Sequence, residues 1–231
     1  MKRLIITIFI VLACLICPAF GQQAGVNSAG MFYSQQYRLW GFEMYDEDYV
    51  HPGIVAEVEG VEVSAVTHLK DWDEDVDDNW DIRTSYKIPV GGLYVRPGYG
   101  YFMLPGDLEV QEASITVGLA GEVAPRYTFA HVIPDEADEG QLHIIGLDLL
   151  LGDPNNIRAL VSAEICYNDG VNPLGGPVIS DWSHTNLGAQ VIVPVAGFEV
   201  VPGVVWQHTL EEAVDADENE VWATLSLVKR F

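Results

Sequence analysis

Residues 79–90 read NWDIRTSYKIPV, and their side chains alternate between apolar and polar along the stretch. The polar face carries Asp81, Arg83, Ser85 and Lys87. The opposite face carries Trp80, Ile82, Thr84, Tyr86, Ile88 and Val90. Because successive side chains of a β-strand point to opposite sides, this period of two predicts a strand with one apolar face and one charged face.

The same alternation recurs along most of the chain and predicts an all-β protein. Most of the alternating segments span about 10 to 14 residues, which is longer than a usual globular strand and suits a tilted strand that crosses a bilayer. About twelve segments show the pattern: 29–40, 50–59, 61–71, 79–90, 93–104, 108–121, 124–134, 140–152, 157–168, 182–196, 198–211 and 219–231.

The connections between these segments alternate in length. Tight turns are predicted at Gly60, Gly91-Gly92, residues 121–123 and Gly197. Longer polar connections are predicted at residues 71–78, 134–140, 169–181 and 211–218, and they hold most of the clustered Asp and Glu residues. Short turns on one side and long loops on the other are typical of outer-membrane barrels.

These features together predict an antiparallel transmembrane β-barrel of about twelve strands, an even number as bacterial single-chain barrels require. The chain ends on Phe231, which shares a face with Leu225 and Leu227, and such a terminal aromatic is the signal that barrel-assembly machinery recognises. A soluble β-sandwich or lipocalin-like barrel also alternates, because one strand face then packs a core. Aromatic residues at predicted strand ends fit membrane–water interfaces: Tyr45, Trp72, Trp80, Tyr94, Tyr167, Trp182 and Trp222.

The first residues are expected to be removed before folding. Met1-Lys2-Arg3 is a short basic segment, residues 4–17 are almost all apolar, and Ala19-Phe20-Gly21 offers a cleavage site. Residues 1–21 are therefore predicted to be a secretory signal peptide, and residues 22–231 the barrel domain. A membrane anchor is the alternative, but the apolar run is short for a span. After cleavage the only cysteine is Cys166.

The composition excludes some classes of protein. The 231 residues include 11 Lys and Arg against 34 Asp and Glu, a formal charge of −23 that becomes −25 when Lys2 and Arg3 are removed. Binding to nucleic-acid phosphates needs basic residues, so no nucleic-acid partner is expected. A hydrophobic content of 49% excludes a disordered chain.

Three stretches resemble the TorF-type porins of Gram-negative bacteria. They are residues 33–41, YSQQYRLWG, residues 80–86, WDIRTSY, which follow an acidic loop, and the closing residues 221–231 that begin Val221-Trp222-Ala223. The similarity covers most of the mature chain. This resemblance implies an outer-membrane barrel that forms a channel.

Charged residues on the less apolar strand faces are candidates for the lining of a pore. A water-filled lumen tolerates such residues, and their field sets the ion preference. Alternatively, they pair with one another and fill a narrow barrel, and the sequence leaves both states open. The candidates are Glu57, Glu62, Lys70, Asp81, Arg83, Lys87, Arg96, Arg126, Arg158 and Glu164.

No catalytic residue, metal site or cofactor is predicted. None of the six histidines pairs with another at the spacing of metal ligands. The acidic residues 71–78 mimic a calcium loop, but Val76 stands where an EF-hand needs Gly, so at most loose divalent binding stays open. Residues 183–188 resemble a stretch of lipid A deacylases, yet Thr185 replaces the serine and lies on the opposite face from His184.

The sequence thus predicts a non-enzymatic, porin-like barrel in the outer membrane of a Gram-negative bacterium. Its expected partners are outer-membrane lipid, the barrel-assembly machinery and the small solutes or ions that diffuse through it. Two alternatives remain: a non-conducting structural or binding barrel in the outer membrane, and a soluble exported β-barrel that binds a ligand.

Overall fold

The computed structural model describes residues 26–34, 38–39, 42–43, 49–51, 53–70, 80–104, 108–135, 137–153, 156–172, 180–210 and 219–231. The predicted signal peptide at residues 1–21 lies outside the described residues, as do the acidic residues 71–78 and 211–218. No helix in the described part of the chain has the length and apolar composition needed to cross a membrane.

Thirteen strands of the described chain form one sheet, and twelve of them, which we number β1 to β12, form the wall of the barrel. They are β1 (Val26–Ser34), β2 (Gly53–Val58), β3 (Val61–Thr67), β4 (Trp80–Tyr86), β5 (Leu93–Leu104), β6 (Leu108–Leu119), β7 (Val123–Pro134), β8 (Gly140–Leu151), β9 (Arg158–Asp169), β10 (Ser180–Val195), β11 (Phe198–Thr209) and β12 (Asn219–Arg230). The other described elements are short strands at Arg38–Leu39, Phe42–Glu43, Tyr49–Val50, Leu69–Lys70 and Ile88–Val90.

The sheet closes on itself. Each strand pairs antiparallel with the next one in the chain, and β12 pairs antiparallel with β1. At this closure Ser28 lies opposite Arg230, and Ser34 lies opposite Thr224. The predicted antiparallel barrel of about twelve strands is therefore confirmed.

The stretch at residues 79–90 differs from its prediction as one strand. β4 ends at Tyr86, and Ile88–Val90 forms a separate strand that pairs with β5. The break falls at Lys87, whose backbone N–H donates to the carbonyl of Gly60 at 2.9 Å. Gly60 belongs to the turn between β2 and β3. The β2–β3 hairpin therefore ends beside Lys87, and β4 cannot continue its pairing with β3 beyond that point.

The two ends of the barrel differ. At the turn end, neighbouring strands are joined at residues 59–60, 91–92, 120–122, 152–157 and 196–197. At the loop end, the joining residues are 35–52, 68–79, 105–107, 135–139, 170–179 and 210–218. Both residues of the Glu59-Gly60 and Ala196-Gly197 turns have positive φ. That conformation fits the tight hairpin turns whose twist matches that of the strands.

The outward face of the barrel is apolar. Large hydrophobic side chains stand exposed on it, for example Ile145 at 52%, Leu187 at 47% and Leu225 at 48%. In a soluble barrel these side chains would pack the interior, whereas contiguous exposed apolar surface marks an interaction with lipid or protein. The apolar face of the alternating strands therefore points outward.

Aromatic and histidine rings form a band on the outward face near the loop end. Neighbouring ring centroids in it are 5.5 Å apart between Trp80 and Tyr101 and 5.6 Å apart between Tyr167 and Trp182. Two residues of the predicted interfacial set do not belong to it. Trp222 faces the lumen and is 8% exposed, and Tyr94 lies on the inward face of β5. Tyr45 and Trp72 lie outside the described residues.

A hydrophobic cluster fills the lumen at the loop end, and we call it the loop-end cluster. Its members are Phe42, Phe102, Leu104, Val110, Ala130, Val132, Leu142, Cys166 and Val171, each at most 2% exposed. Phe42 and Val171 come from connections, so parts of these connections reach into the barrel. The other members are inward positions of β5 to β9, where the inner face changes from polar to apolar.

Candidate functional site

A polar cavity of about 590 Å³ lies at mid-height in the barrel lumen. Four charged side chains line it: Glu62 on β3, Arg83 on β4, Glu112 on β6 and Glu164 on β9. Hydroxyl groups, amides and glycines form much of the remaining wall: Ser64, Ser85, Gly98, Gly100, Ser114, Thr116, Thr128, Asn186 and Gln207. Because these residues come from strands on all sides, the barrel wall encloses the cavity.

Three of the ten candidate pore residues, Glu62, Arg83 and Glu164, line this cavity. Glu57 lies on the inward face of β2, directly opposite Glu62 in the β2–β3 register. The guanidinium of Arg83 lies 4.8 Å from the ring centroid of Phe102, so it leans toward the loop-end cluster. The cavity thus borders apolar packing on its loop side, where Glu112 lies opposite Val132 of the loop-end cluster in the β6–β7 register.

Lys87 and Arg96 lie together toward the turn end. The ammonium of Lys87 is 4.7 Å, and the guanidinium of Arg96 5.9 Å, from the ring centroid of Tyr94. Such cation–π contacts hold a charge in place without neutralising it. For Lys70 only the backbone is described, in a short strand in which Leu69 and Lys70 pair with Val50 and Tyr49.

Arg126 is the centre of an ion-pair group on the inner wall. Its Nη1 lies 2.6 Å from Asp148 Oδ2 and its Nη2 2.9 Å from Glu164 Oε2. Asn186 Nδ2 donates to the other oxygen of Glu164 at 2.9 Å. Gly146 makes room for the guanidinium, since a Cβ there would lie 2.7 Å from Arg126 Cζ. The group links β7, β8, β9 and β10.

Arg158 belongs to a second ion-pair group near the turn end. Its Nη2 lies 2.5 Å from Glu199 Oε1, and Arg230 Nε lies 3.1 Å from Glu199 Oε2. The side chains of Arg158 and Glu199 are 12% and 15% exposed, whereas that of Arg230 is 64% exposed. The structure therefore pairs Arg126 and Arg158 with carboxylates of neighbouring strands, and the role of the ten residues in lining a pore stays a prediction.

Asp81 belongs to a buried chain of three side chains at the loop end. His51 Nδ1 lies 2.9 Å from His68 Nδ1, and His68 Nε2 lies 3.2 Å from Asp81 Oδ2. All three side chains are at most 1% exposed. His51 precedes β2 and lies outside the membrane-spanning strands, and burial, followed by the charge of His68, lowers its pKa from 6.5 to about 3. Asp81 thus contacts a histidine and is not one of the residues that line the cavity.

Sequence reasoning missed this histidine chain and several inward charges. His51 and His68 are not close in sequence, and no spacing rule joins them. Glu112, Asp148 and Glu199 were also missed, although the same period of two places them on inward faces. Strict application of that period to β6, β8 and β11 would have found them.

Among the described residues, no three His, Cys, Asp or Glu side chains are placed to hold a metal ion. In the histidine chain, His68 lies between the other two side chains and contacts His51 through Nδ1 and Asp81 through Nε2. Cys166 is buried in the loop-end cluster, away from the cavity wall.

The fold resembles those of solved outer-membrane proteins. A KdgM porin structure matches with a TM-score of 0.56 at 8% identity, over 88% of this chain and 99% of that chain. A NanC porin structure matches with 0.51 at 9% identity, over 89% and 99%. The translocator domain of autotransporter NalP from Neisseria meningitidis matches with 0.56 at 10% identity, over 96% of both chains. No protein-family model and no curated protein matches the sequence.

At such low identities these likenesses show the fold alone, a closed antiparallel barrel. None of the three structures is a TorF-type porin, so that resemblance stays a prediction. One further KdgM structure, with a TM-score of 0.55 at 9% identity over 88% of this chain and 99% of that chain, is described as a complex with disordered oligogalacturonate.

Proposed function

We propose that this protein is a porin-like outer-membrane barrel through which small solutes or ions diffuse passively. The observation that carries the proposal is the inverted arrangement of the barrel, with exposed apolar side chains outside and a polar cavity inside. An outer-membrane barrel requires an apolar band toward lipid and a polar lumen. Diffusion involves no chemical step, so the proposal includes no enzymatic activity.

Several features of the chain support its export and its insertion into the outer membrane. Residues 1–21 would direct export, and residues 22–231 would fold as the barrel. Phe231, the residue that follows β12, would present the C-terminal signal to the barrel-assembly machinery. The resemblance to TorF-type porins belongs to the same proposal, as does a location in a Gram-negative outer membrane. The apolar outer face argues against the soluble exported barrel.

The solute would contact the charged wall of the cavity. We infer that Glu62, Arg83 and Glu164 act there, with the hydroxyl groups around them. Oligogalacturonate, with which KdgM forms a complex in one of those structures, is a polyanion. The cavity of this chain is lined by three carboxylates and one arginine. This charge disfavours a polyanion, so the proposal covers small solutes and ions instead.

The second candidate function is a non-conducting barrel that binds a ligand in the cavity. The loop-end cluster favours it, because buried apolar side chains fill the lumen between the cavity and that end. Passive diffusion then requires that the cluster move aside, and Phe42 and Val171 are the two members that connections supply. The two candidates therefore differ in whether the cluster opens.

Single-channel recording of the refolded mature chain in a planar bilayer separates the two candidates. We expect discrete openings of small conductance, and a larger open fraction for Phe42→Ala, which removes a side chain from the cluster. Phe198→Ala, near the turn end, is the matched control and should leave the recordings unchanged. If neither the wild type nor Phe42→Ala conducts in bilayers, the diffusion proposal is wrong and the binding barrel is favoured.

A further inference from the structure

Lys87 and Arg96 place two positive charges side by side on the inner wall near the turn end, and we call them the cation pair. The β4–β5 pairing and the pairing of Ile88–Val90 with β5 keep the same register, so Lys87 falls opposite Arg96. Both side chains contact the ring of Tyr94 on the inward face of β5. Like charges that lie directly opposite each other on neighbouring strands are destabilising, so this arrangement needs a compensating charge.

Two other arginines of the inner wall have carboxylates as partners, whereas the cation pair has none in the described chain. Arg126 lies against Asp148 and Glu164, and Arg158 lies against Glu199. Each member of the cation pair contacts only the face of a tyrosine ring, and neither forms an ion pair with a described residue. The positive charge of the pair therefore remains available to a ligand.

The carboxylate that is closest to the cation pair in the strand register belongs to Glu62. Glu62 lies opposite Ser85, which is two residues before Lys87. The ammonium of Lys87 nevertheless lies 4.7 Å from the ring centroid of Tyr94 and forms no ion pair with Glu62. The negative face of the ring attracts both cations. It thus holds the ammonium beside the guanidinium, where one anion can contact both.

The wall around the cation pair positions the tyrosine that holds it. A Cβ at Gly118 on β6 would lie 2.7 Å from the hydroxyl oxygen of Tyr94, so the glycine makes room for this side chain. Arg96 is half-buried, and its Nε is buried without a hydrogen-bond partner in the described part of the chain. Neither cation lines the polar cavity, so the pair forms a separate place in the lumen.

We propose that the cation pair binds a small tetrahedral oxyanion with two negative charges, of the class of sulfate and phosphate. Two adjacent positive charges match a dianion better than a monoanion. A guanidinium donates parallel hydrogen bonds to two oxygens of one such group, and an ammonium adds a compact charge. Because the pair faces the lumen, the ligand is a free solute and not a lipid headgroup. The site goes beyond the proposed function, since it does not require that the barrel conduct.

Equilibrium dialysis of radioactive sulfate against the refolded mature chain in maltoside detergent at pH 7.5 tests this site. With the ionic strength held constant by sodium chloride, we expect saturable binding of one sulfate per chain. Phosphate should displace the sulfate, whereas acetate at the same ionic strength should not. If acetate displaces sulfate as well as phosphate does, the pair only attracts counter-ions and the proposal is wrong. Displacement by phosphatidylglycerol added to the micelles would contradict a site inside the lumen.

Variants of the two cations locate the binding. Lys87→Gln and Arg96→Gln should each weaken sulfate binding by about tenfold or more, because each removes one of the two charges. Lys229→Gln is the matched control and should bind sulfate as the wild type does. Its ammonium also lies over a ring, 4.8 Å from the centroid of Phe198, but on the outward face at the same end.

The gel mobility of unboiled samples shows which variants fold. Arg96→Lys keeps the charge but loses the guanidinium, so it should still bind sulfate more weakly than the wild type if Arg96→Gln does not fold. Absence of saturable binding in the wild type, or unchanged binding in folded Lys87→Gln and Arg96 variants, would overturn the site. Sulfate binding by a barrel that shows no channel activity would sustain the site while contradicting the diffusion proposal.

Discussion

Single residues in the lumen differ in importance because they differ in burial. Arg158 and Arg230 bind the same carboxylate, Glu199, but their side chains are 12% and 64% exposed. A mostly buried ion pair that loses one partner leaves a charge without compensation, whereas exposed pairs contribute little.

We therefore predict that Arg158→Gln lowers the free energy of unfolding by about 2 kcal/mol. Arg230→Gln, its matched control, should change it by less than about 0.5 kcal/mol, since water already solvates that side chain. Urea unfolding of the refolded barrel, followed by tryptophan fluorescence, measures both. Equal losses in the two variants would show that burial does not separate the two arginines.

The lowered pKa of His51 predicts how the stability of the barrel depends on pH. The folded chain lowers its pKa from 6.5 to about 3, so the unfolded chain binds more protons between these values. The contribution of His51 is therefore complete above pH 6.5 and is lost as the pH falls toward 3. When the pH falls from above 6.5 to 4.5, we expect the free energy of unfolding of the wild type to decrease by on the order of 2 kcal/mol more than that of His51→Gln. Parallel pH profiles of the two unfolding free energies would contradict this.

At the scale of the elements, the strands could be read from sequence because their period is local. The predicted segment 93–104 coincides with β5, and the segments from 108 to 231 lie within a few residues of β6 to β12. The break at Lys87 could not be read, since it depends on a hydrogen bond to Gly60 in another hairpin. Likewise, the burial of Phe42 and the contact of His51 with His68 depend on partners distant in sequence.

The positive φ of a glycine in a hairpin turn leads to a further prediction. Gly197 has φ of +82°, a conformation that residues with a Cβ rarely adopt, and a Cβ added there would meet only the flexible end of Lys229, with Nζ 3.3 Å away. We expect Gly197→Ala to destabilise the barrel by about 1 kcal/mol. Gly92→Ala is the control, since φ there is not in the left-handed region and nothing lies within 4 Å. Equal urea midpoints for the two variants would argue against this account of the turn.

At the scale of the whole molecule, the apolar outer face predicts where a charge is tolerated. Ile145 stands 52% exposed near the middle of β8, and Leu93 stands 43% exposed at the turn end of β5. An arginine on the lipid face costs about 2–4 kcal/mol at the bilayer midplane and about 0–1 kcal/mol near the interfaces. Ile145→Arg should therefore destabilise the barrel in lipid vesicles much more than Leu93→Arg does.

Folding titrations in vesicles compare these two variants directly. A larger loss for Leu93→Arg would mean that the outer face does not meet lipid as its exposure suggests. Both variants should fold alike in short-chain detergent, where water and charge approach the barrel more easily. A loss of stability in vesicles that is absent in detergent distinguishes a lipid-facing surface from an ordinary protein core.

The measurement that tests the central claim most directly is cell fractionation of the expressed chain, combined with gel mobility before and after boiling. The inverted barrel predicts a protein in the outer-membrane fraction whose unboiled form migrates differently from its boiled form. Recovery in the soluble fraction without detergent, with one mobility in both samples, would contradict a barrel whose apolar face meets lipid.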